Sequence, residues 1–174
     1  VLIAEYTTFH DPHLAPEGRA MVSALKKSFE KCGHEVILPQ SGDFNAEIER
    51  LAPECDYGIV IAPDALLSRF THTLELATHN IGTDSTAVAV CASKRLSSKL
   101  LANVGINVPK EVGTDFAGKR VIKPIKGEGS NGVRIAKDGE EPKEGEMSVE
   151  YIEGEHYSVS IVGSRVVGEA CGFY

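Results

Sequence analysis

The chain has 174 residues, of which 42% are hydrophobic and 25% are charged, and its formal net charge is −7. This composition is typical of a globular protein with one large domain or two small ones, whereas no apolar run approaches the roughly 20 residues that cross a bilayer, and a negative chain lacks the basic face that general nucleic-acid binding requires. These two features predict neither a membrane nor a nucleic-acid partner. The first residues are typical of a strand rather than of a signal peptide, so we predict a cytoplasmic location.

Residues 1–82 alternate between strand and helix patterns. The segments predicted as strands are Val1–Tyr6, Glu35–Leu38 and Tyr57–Ala62. Three helices are predicted: one from Pro16 to Gly33, a short one capped by Asp43, and one that follows Pro63 and ends at Gly82. Apolar strands separated by helices favour a parallel sheet that is covered on both faces. We therefore predict a small Rossmann-like lobe, although it lacks the Gly-x-Gly-x-x-Gly turn of a nucleotide site.

Helical spacing also predicts which side chains of these three helices face the core. They are Met21, Ala24, Leu25, Ser28, Phe29 and Cys32 in the first helix, Phe44, Ile48 and Leu51 in the second, and Leu67, Phe70, Leu74, Ala77 and Ile81 in the third. The four cysteines contain no Cys-x-x-Cys pair, which argues against a zinc knuckle, a redox pair or a disulfide framework. We predict that the cysteines are small core residues.

The loop after the first strand contains His10, Asp11 and His13. Imidazole and carboxylate groups are good metal ligands, but the three lie in a proline-interrupted stretch without helical register. The alternative is a solvated loop, and we favour it. Because ligands usually bind at the carboxyl ends of parallel strands, this loop could also contact a substrate, with Glu17 included.

Residues 83–108 connect this lobe to the next one. The stretch Ser85–Ala92 is ambiguous between a strand and a short helix. Ser93 is a plausible N-cap for the helix that follows, whose predicted buried stripe is Leu96, Leu100, Leu101 and Val104. Lys94 then stands at a helix N-terminus, which favours an anion, although a solvated lysine is an equal alternative. Ile106–Val108 is predicted to begin a strand.

The segment 121–132, Val-Ile-Lys-Pro-Ile-Lys-Gly-Glu-Gly-Ser-Asn-Gly, combines a β-branched run with a glycine-rich loop. Because Pro124 cannot donate to a ladder, Lys123 is predicted near the end of an edge or terminal strand. Gly127, Gly129 and Gly132 allow successive backbone N–H groups to point to one side, an arrangement that attracts anions. The loop is therefore predicted to lie as a flap over a bound phosphate, and its alternative is an ordinary turn.

The rest of the chain is rich in strand patterns. Val133–Ala136 is predicted to pair with the strand before the flap, and the later strands are Met147–Ile152, Tyr157–Val162 and Arg165–Cys171. Gly163-Ser164 suits a tight hairpin turn between the last two. Residues 138–146 are predicted to form an exposed, charged loop.

Together these motifs resemble the ATP-grasp superfamily. The matching pieces are the Ala-Ser-Lys-Arg-Leu helix start at Lys94, Val-Ile-Lys-Pro at Lys123, the Gly-Glu-Gly-Ser-Asn-Gly loop, and Val-Glu-Tyr-Ile-Glu-Gly-Glu-His from Val149 to His156. The resemblance implies an α/β fold with a Rossmann-like lobe at 1–92 and an α+β ATP-grasp small lobe with an antiparallel sheet at 93–174. The family's large C-terminal lobe, which carries its Mg²⁺ ligands, would be missing, so we expect an incomplete sequence.

The resemblance also implies an ATP site. The residues that it assigns to ATP are Lys94, Lys123, Gly127, Glu128, Gly129, Ser130, Gly132, Glu150, Tyr151, Ile152 and His156. The two lysines would neutralise phosphates, and residues 150–152 would form the hinge against the adenine edge, while the alternative for Glu150 is an outward carboxylate on a strand end. His156 stands where the family often has a glutamate that grips the ribose, so neighbouring Glu155 could serve instead.

The chemistry that the resemblance implies is carboxylate activation. ATP would phosphorylate a small carboxylate, and an amine would attack the acyl phosphate to form an amide with release of ADP and phosphate. Within the superfamily, the chain is loosely similar to archaeal enzymes of the tyramine–glutamate ligase kind. Mg²⁺ or Mn²⁺ would be required, with ligands outside this chain, and no catalytic residue is assigned. The alternatives are a non-catalytic ATP-binding module and an ATP-grasp kinase.

Overall fold

The first eighty residues fold into helices around a small parallel sheet, as their alternating pattern predicts. The computed structural model describes residues 1–127, 130–163 and 165–171. Among these residues, no helix is long and apolar enough to cross a membrane. The sheet has the strand order β1-β2-β3, and all pairs are parallel. The elements are β1 Leu2–Glu5, α1 Thr7–His10, α2 Ala15–Lys31, α3 Phe44–Leu51, a 3-10 turn Ala52–Glu54, β2 Tyr57–Ile61, α4 Asp64–Glu75 and β3 His79–Asn80.

One hydrophobic core joins this sheet to α3 and α4. Its buried side chains are Leu2, Ala4, Phe44, Ile48, Leu51, Ala52, Val60, Phe70 and Leu74. Asp43 caps α3 as predicted, since its carboxylate accepts a hydrogen bond from Ala46 N at 3.0 Å. Gly58 allows α4 to pack closely on β2, because a Cβ there would lie 2.6 Å from Leu74 Cδ1. The predicted inner face of α3, and that of α4 as far as Leu74, are therefore confirmed.

Two predicted elements of this lobe are shorter than the sequence pattern suggests. Of the predicted strand Glu35–Leu38, only Ile37 pairs with the sheet, where it forms an isolated bridge to Leu2. The next residue but one is Pro39, which has no N–H to extend the ladder. The helix α4 ends at Glu75 rather than at Gly82, because the Glu75 carboxylate accepts hydrogen bonds from Asn80 and Ser85 and holds the turn that leads back into β3.

The predicted inner face of α2 is partly wrong. Leu25 and Phe29 are half-buried, but Met21, Ala24, Ser28 and Cys32 are exposed, and the fully buried positions are Ala15 and Gly18. The helix rotates in this way because Gly18 has no side chain and lets its first turns contact β1. The prediction that the cysteines are core residues is wrong for Cys32 and Cys91, which are exposed, while Cys55 is half-buried; the side chain of Cys171 lies outside the described part.

The ambiguous segment after β3 is a helix, α5 Ser85–Cys91, capped by Asp84. The helix α6 Lys94–Asn103 follows, and its predicted N-cap is confirmed because Ser93 Oγ accepts from Leu96 N at 3.3 Å. Its predicted buried stripe is wrong. Leu96, Leu100 and Leu101 are each more than 40% exposed and Val104 is 73% exposed, because α6 packs on α5 rather than on a sheet.

The second sheet is antiparallel, with the strand order β5-β4-β6. Its strands are β4 Arg120–Pro124, β5 Arg134–Ile135 and β6 Glu146–Glu150. Lys123 therefore lies near the end of a central strand, not of an edge strand as predicted. Pro124 is tolerated because β5 is too short to reach it, so that this end of β4 pairs with β6 alone. Ile106–Val108 is not a strand; the chain joins this sheet later, where Glu111 bridges to Val149.

The last two strands form a separate antiparallel hairpin, β7 Tyr157–Val162 and β8 Arg165–Cys171, as predicted. Gly163 has a φ of 61° in the turn, and Ser164 of the predicted turn pair lies outside the described residues. Tyr157, Val159 and Ile161 alternate along β7, and each is more than half exposed.

Candidate ATP-binding site

The backbone of Lys94 is joined to the end of the antiparallel sheet. Its N–H donates to the Ile125 carbonyl at 2.9 Å, just beyond β4. Its Nζ donates to the carbonyl of Gly127 at the start of the glycine-rich loop. The first residue of α6 is thereby fixed beside the loop that the sequence predicted to hold phosphates.

Lys123 lies on β4 opposite Met147 and is half-buried. Burial and, next, the positive charge of Lys94 lower the pKa of Lys123 below its ordinary value. The backbone of Lys94 is hydrogen-bonded two residues beyond Lys123, so both lysines lie at the same end of β4. No carboxylate of the described residues forms a salt bridge with either. Two uncompensated charges at one place favour a ligand with several negative charges.

The glycine-rich loop has the backbone shape that an anion cradle needs. Gly127 and Gly132 have φ angles of 110° and 75°, and Ser130 between them has a φ of 56°. The left-handed region orients N–H groups in ways that most residues cannot. Two residues of the predicted site, Glu128 and Gly129, lie outside the described residues.

The base of this loop is fixed by an ion network that the sequence analysis missed. Arg134 Nη1 donates to Glu146 at 2.7 Å and Arg134 Nε donates to Glu140 at 2.9 Å. Hydrogen bonds from Arg134 and from Lys143 N lower the pKa of Glu146 to about 2. Glu140 and Glu146 belong to the segment 138–146, which the sequence predicted as an exposed, charged loop; Glu146 instead begins β6, and its pairing with Arg134 depends on strand register. The network holds the strand after the loop to the strand β6.

The predicted hinge is partly occupied by contacts within the protein. Glu150 forms two hydrogen bonds with Lys110: its backbone N–H donates to the Lys110 carbonyl, and its side-chain carboxylate accepts from Lys110 N, both at 2.9 Å. Tyr151 N donates to the Lys119 carbonyl at 2.9 Å. The backbone N–H of Ile152 donates to none of the described residues. The Glu150 carboxylate therefore forms a hydrogen bond within the protein and is not an unpaired carboxylate at the end of the strand.

The predicted ribose position lies just before β7. His156 is exposed, and neighbouring Glu155 accepts a hydrogen bond from the hydroxyl of Tyr157. That hydrogen bond raises the pKa of Tyr157. Both side chains are accessible to a ligand, but Glu155 is already oriented by a neighbour whereas His156 is not oriented by any described contact.

The loop after β1 does not assemble a metal site. His10 stacks on the ring of Tyr6, with ring centroids 4.5 Å apart. Asp11 Oδ1 accepts from the backbone of His13 and Leu14, so the carboxylate stabilises a turn. Nowhere in residues 1–127, 130–163 and 165–171 do three His, Cys, Asp or Glu side chains gather as a metal would require. The loop after β1 therefore offers no such ligand cluster for Mg²⁺ or Mn²⁺.

Two neighbouring cavities extend from this loop toward the glycine-rich loop. The first, of about 210 Å³, lies at the carboxyl ends of β1 and β2 and includes Glu17. The second, of about 460 Å³, reaches Lys126 and Gly127, and the two share Pro63 and Asp64. Asp64 and Lys126 were not among the predicted site residues, although Asp64 directly follows an apolar strand and a proline, which is a typical place for a ligand contact.

The comparison with known families agrees with this geometry. Residues 91–168, which contain both lysines, the glycine-rich loop and the hinge, match the model of the ATP-grasp domain. This segment of the chain is therefore similar to an ATP-grasp domain. No curated protein sequence matches the chain significantly.

Solved structures support the same ATP-grasp fold. An Archaeoglobus fulgidus protein assigned to the ATP-grasp superfamily is 27% identical with a TM-score of 0.72, over 95% of this chain and 57% of its own. D-alanine–D-alanine ligase from Bacillus anthracis is 19% identical with a TM-score of 0.61, over 92% of this chain and 59% of its own. N5-carboxyaminoimidazole ribonucleotide synthetase from Thermotoga maritima is 16% identical with a TM-score of 0.62, over 91% of this chain and 47% of its own. This chain thus spans about half to three fifths of the length of these proteins.

Proposed function

We propose that the ATP-grasp domain of this chain binds ATP, with the phosphates between Lys94 and Lys123. The observation that carries the proposal is that Lys94 donates from its N–H to the Ile125 carbonyl and from its Nζ to the Gly127 carbonyl, which joins it to the end of the strand that carries Lys123, within the matched residues. Repulsion from Lys94 also contributes to the lowered pKa of Lys123. A triphosphate would relieve this repulsion, and the N–H groups of the glycine-rich loop, Ser130 and Gly132 included, would bind its oxygens. The free N–H of Ile152 supports an adenine contact at the hinge, and His156 or Glu155 would bind the ribose hydroxyls.

We further propose that the protein containing this sequence is an ATP-dependent ligase. Two of the structural neighbours are by name a ligase and a synthetase. In the finer form, a substrate carboxylate oxygen attacks the γ-phosphorus and ADP leaves; the amine nitrogen then attacks the acyl carbon, phosphate leaves, and the nitrogen loses a proton. Lysines and amides would serve this chemistry by positioning and charge neutralisation. A tyramine–glutamate ligase-like reaction is the narrowest version of the proposal.

The proposal divides the chain into a lobe for the other substrate, 1–92, and the nucleotide lobe, 93–174. The parallel sheet β1-β2-β3 and the antiparallel sheet β5-β4-β6 support this division, because each has its own buried residues. Limited proteolysis that cuts first near Ser93 would support the boundary.

The test of the ligase reaction is the release of ADP from ATP in the presence of Mg²⁺, glutamate and tyramine. We expect release that requires both the acid and the amine and a stoichiometric amide product, detected by mass spectrometry. Binding of ATP without ADP release would indicate a non-catalytic ATP-binding module instead. A stable phosphorylated alcohol, formed when hydroxyl compounds replace the acid, would indicate a kinase.

The pH dependence of ATP binding tests the role of Lys123 separately. Its pKa in the free protein lies below the ordinary 10.5, and bound phosphates would raise it because they stabilise the ammonium form. Binding therefore takes up protons, so the affinity for ATP should fall as the pH rises through the free-state pKa of Lys123. Calorimetric titration at pH 7.5 to 10 measures this decline. The variant Lys123→Arg stays charged and should give a flatter profile; an equal decline in both proteins would assign the effect to another group.

A further inference from the structure

Arg134 begins β5, two residues after Gly132 of the glycine-rich loop. Its Nη1 donates to the Gly132 carbonyl at 3.4 Å, so the guanidinium reaches back to the loop itself. The same group donates twice to the Glu146 carboxylate, at 2.7 and 2.9 Å, and once, through Nε, to Glu140 at 2.9 Å. Because a bidentate arginine–carboxylate pair fixes direction as well as distance, the end of the loop is held in one orientation relative to β6.

Both carboxylate partners of Arg134 are themselves oriented by backbone N–H groups. The Glu146 carboxylate also accepts from Lys143 N, and the Glu140 carboxylate from Lys137 N, both at 2.9 Å. The three charged side chains of this network are only 16% to 33% exposed. Isolated surface ion pairs contribute little to stability, but a bidentate pair within a network of several charges is an exception. The network therefore supports the end of the loop in a way that a single surface ion pair would not.

The network lies at the end of the antiparallel sheet where the two lysines of the candidate site are placed. Glu146 begins β6 and lies opposite Pro124 in the pairing of β4 with β6. Lys123 directly precedes Pro124 in the chain. On the other side of Pro124, the Ile125 carbonyl accepts from Lys94 N at 2.9 Å. The network thus joins the end of the glycine-rich loop to the end of β4 at which both lysines lie.

We propose that Arg134 is a positioning residue for the triphosphate of ATP. Without contacting the ligand, it would hold Ser130 and Gly132 where their N–H groups reach the phosphates between the two lysines. A loop that keeps its binding shape in only a fraction of the molecules lowers the affinity by that fraction, so a fixed loop end raises the affinity for the part of the ligand that the loop contacts. The inference rests on the proposed ATP function for the identity of the ligand, but the support that Arg134 gives the loop is measurable without ATP.

Hydrogen–deuterium exchange of the whole chain without nucleotide tests the support of the loop. In Arg134→Gln, the amides of segment 130–136 should exchange about 10-fold faster than in the original chain, because local opening becomes easier when the bonds to both carboxylates are lost. The matched control is Arg50→Gln, which removes an equally bidentate pair with Glu47 on α3 and should leave exchange in this segment unchanged. Exchange in segment 130–136 that is the same in Arg134→Gln as in the original chain would overturn the inference.

NMR titration with ATP and with adenosine, which also measures weak affinities, tests the role in binding. Arg134→Gln should bind ATP about 10-fold more weakly if its loop keeps the binding shape in about one molecule in ten, and it should bind adenosine, which has no phosphates, with the original affinity. Arg134→Lys keeps the charge but not the bidentate geometry, so its ATP affinity should lie between the two.

An equal loss for ATP and adenosine would mean that Arg134 serves the fold in general, and it would overturn the inference. If the original chain binds no ATP, the proposed function fails and the role of Arg134 in ATP binding fails with it. If the original chain binds ATP and Arg134→Gln binds it equally well, only this inference fails.

Discussion

ATP should bind about 10- to 100-fold more weakly to the variant Lys123→Met, because charge-assisted hydrogen bonds contribute about 1.5–3 kcal/mol. Methionine keeps most of the length and the apolar stem of lysine but has no ammonium group. Lys94→Met should have an effect in the same range, since the side chain lies beside Gly127 and its charge reaches Lys123. In the double variant, ATP binding should fall below detection. Isothermal titration calorimetry with ATP measures all three affinities.

A matched control for these variants is Lys137→Met, an exposed lysine that follows β5. It changes the net charge by the same amount, so any general electrostatic effect on ATP should appear there as well. We expect its affinity to equal that of the original chain. The ATP site would have to lie elsewhere if Lys137→Met weakened binding while Lys94→Met and Lys123→Met did not. Because Lys123 is desolvated, Lys123→Met should not lower the thermal stability, which separates lost binding from misfolding.

The second large effect is expected for Gly18→Ala, which should destabilise the fold by about 1–3 kcal/mol, the usual cost of overpacking. A Cβ at this position would lie within 3.0 Å of Thr7 Oγ1 and 2.6 Å from Glu5 Cδ. Both neighbours are buried and joined by hydrogen bonds: the Glu5 carboxylate accepts from Thr7 N at 2.6 Å and from Thr8 N at 2.9 Å. The side chain of Glu5 cannot move aside without losing them.

Helix propensity alone would predict that Gly18→Ala raises stability, because it favours alanine over glycine by about 1 kcal/mol in a helix interior. The control Ala24→Gly, at an exposed position of the same helix, measures that propensity and should lower stability by about this amount. Thermal unfolding should show a Tm about 2–12 °C lower for Gly18→Ala, given about 2–4 °C per kcal/mol for a chain of this size. A Tm equal to or above that of the original chain would mean that Glu5 and Thr7 adapt freely to the added methyl group.

Glu5 connects the Gly18 position to the cavity at the carboxyl ends of β1 and β2 as well as to stability. Burial alone would raise the pKa of its carboxyl group, but hydrogen bonds from Thr7 and Thr8 outweigh burial and hold the pKa below its ordinary value. The ionised group begins α1 and orients Thr7 into the wall of the cavity at the carboxyl ends of β1 and β2. Displacement of this carboxylate in Gly18→Ala should therefore reshape that cavity too.

The local elements were predicted well where one residue type carries a local signal. Asp43 and Ser93 cap helices within three residues of themselves, so the sequence positions of α3 and α6 follow from short-range hydrogen bonding. An unbroken run of apolar residues is also a local signal, and it predicted β1 and β2. By contrast, Pro124 suggested an edge strand, but whether a strand is central depends on which distant segment pairs with it.

Faces and partners were predicted less well. The apolar stripe of α6 is periodic, yet Leu100 and Val104 are exposed because no described element covers them. The face of α2 depends on Gly18, whose effect arises only when Glu5 lies opposite. Arg134 and Glu146, which fix the base of the glycine-rich loop, are twelve residues apart and meet only through the register of β4 with its two neighbours.

For the candidate site, the sequence by itself identified the two lysines, the glycine spacing and the proposed hinge motif, since each is a short pattern of adjacent residues. Only the tertiary structure decided that Lys94 joins the end of β4 that carries Lys123, that the N–H of Tyr151 but not that of Ile152 donates to another described residue, and that Asp64 lines both cavities. The physical reason is the range of the interactions: caps and turns act within a few residues, whereas charge proximity and cavities depend on how strands far apart in the chain are paired.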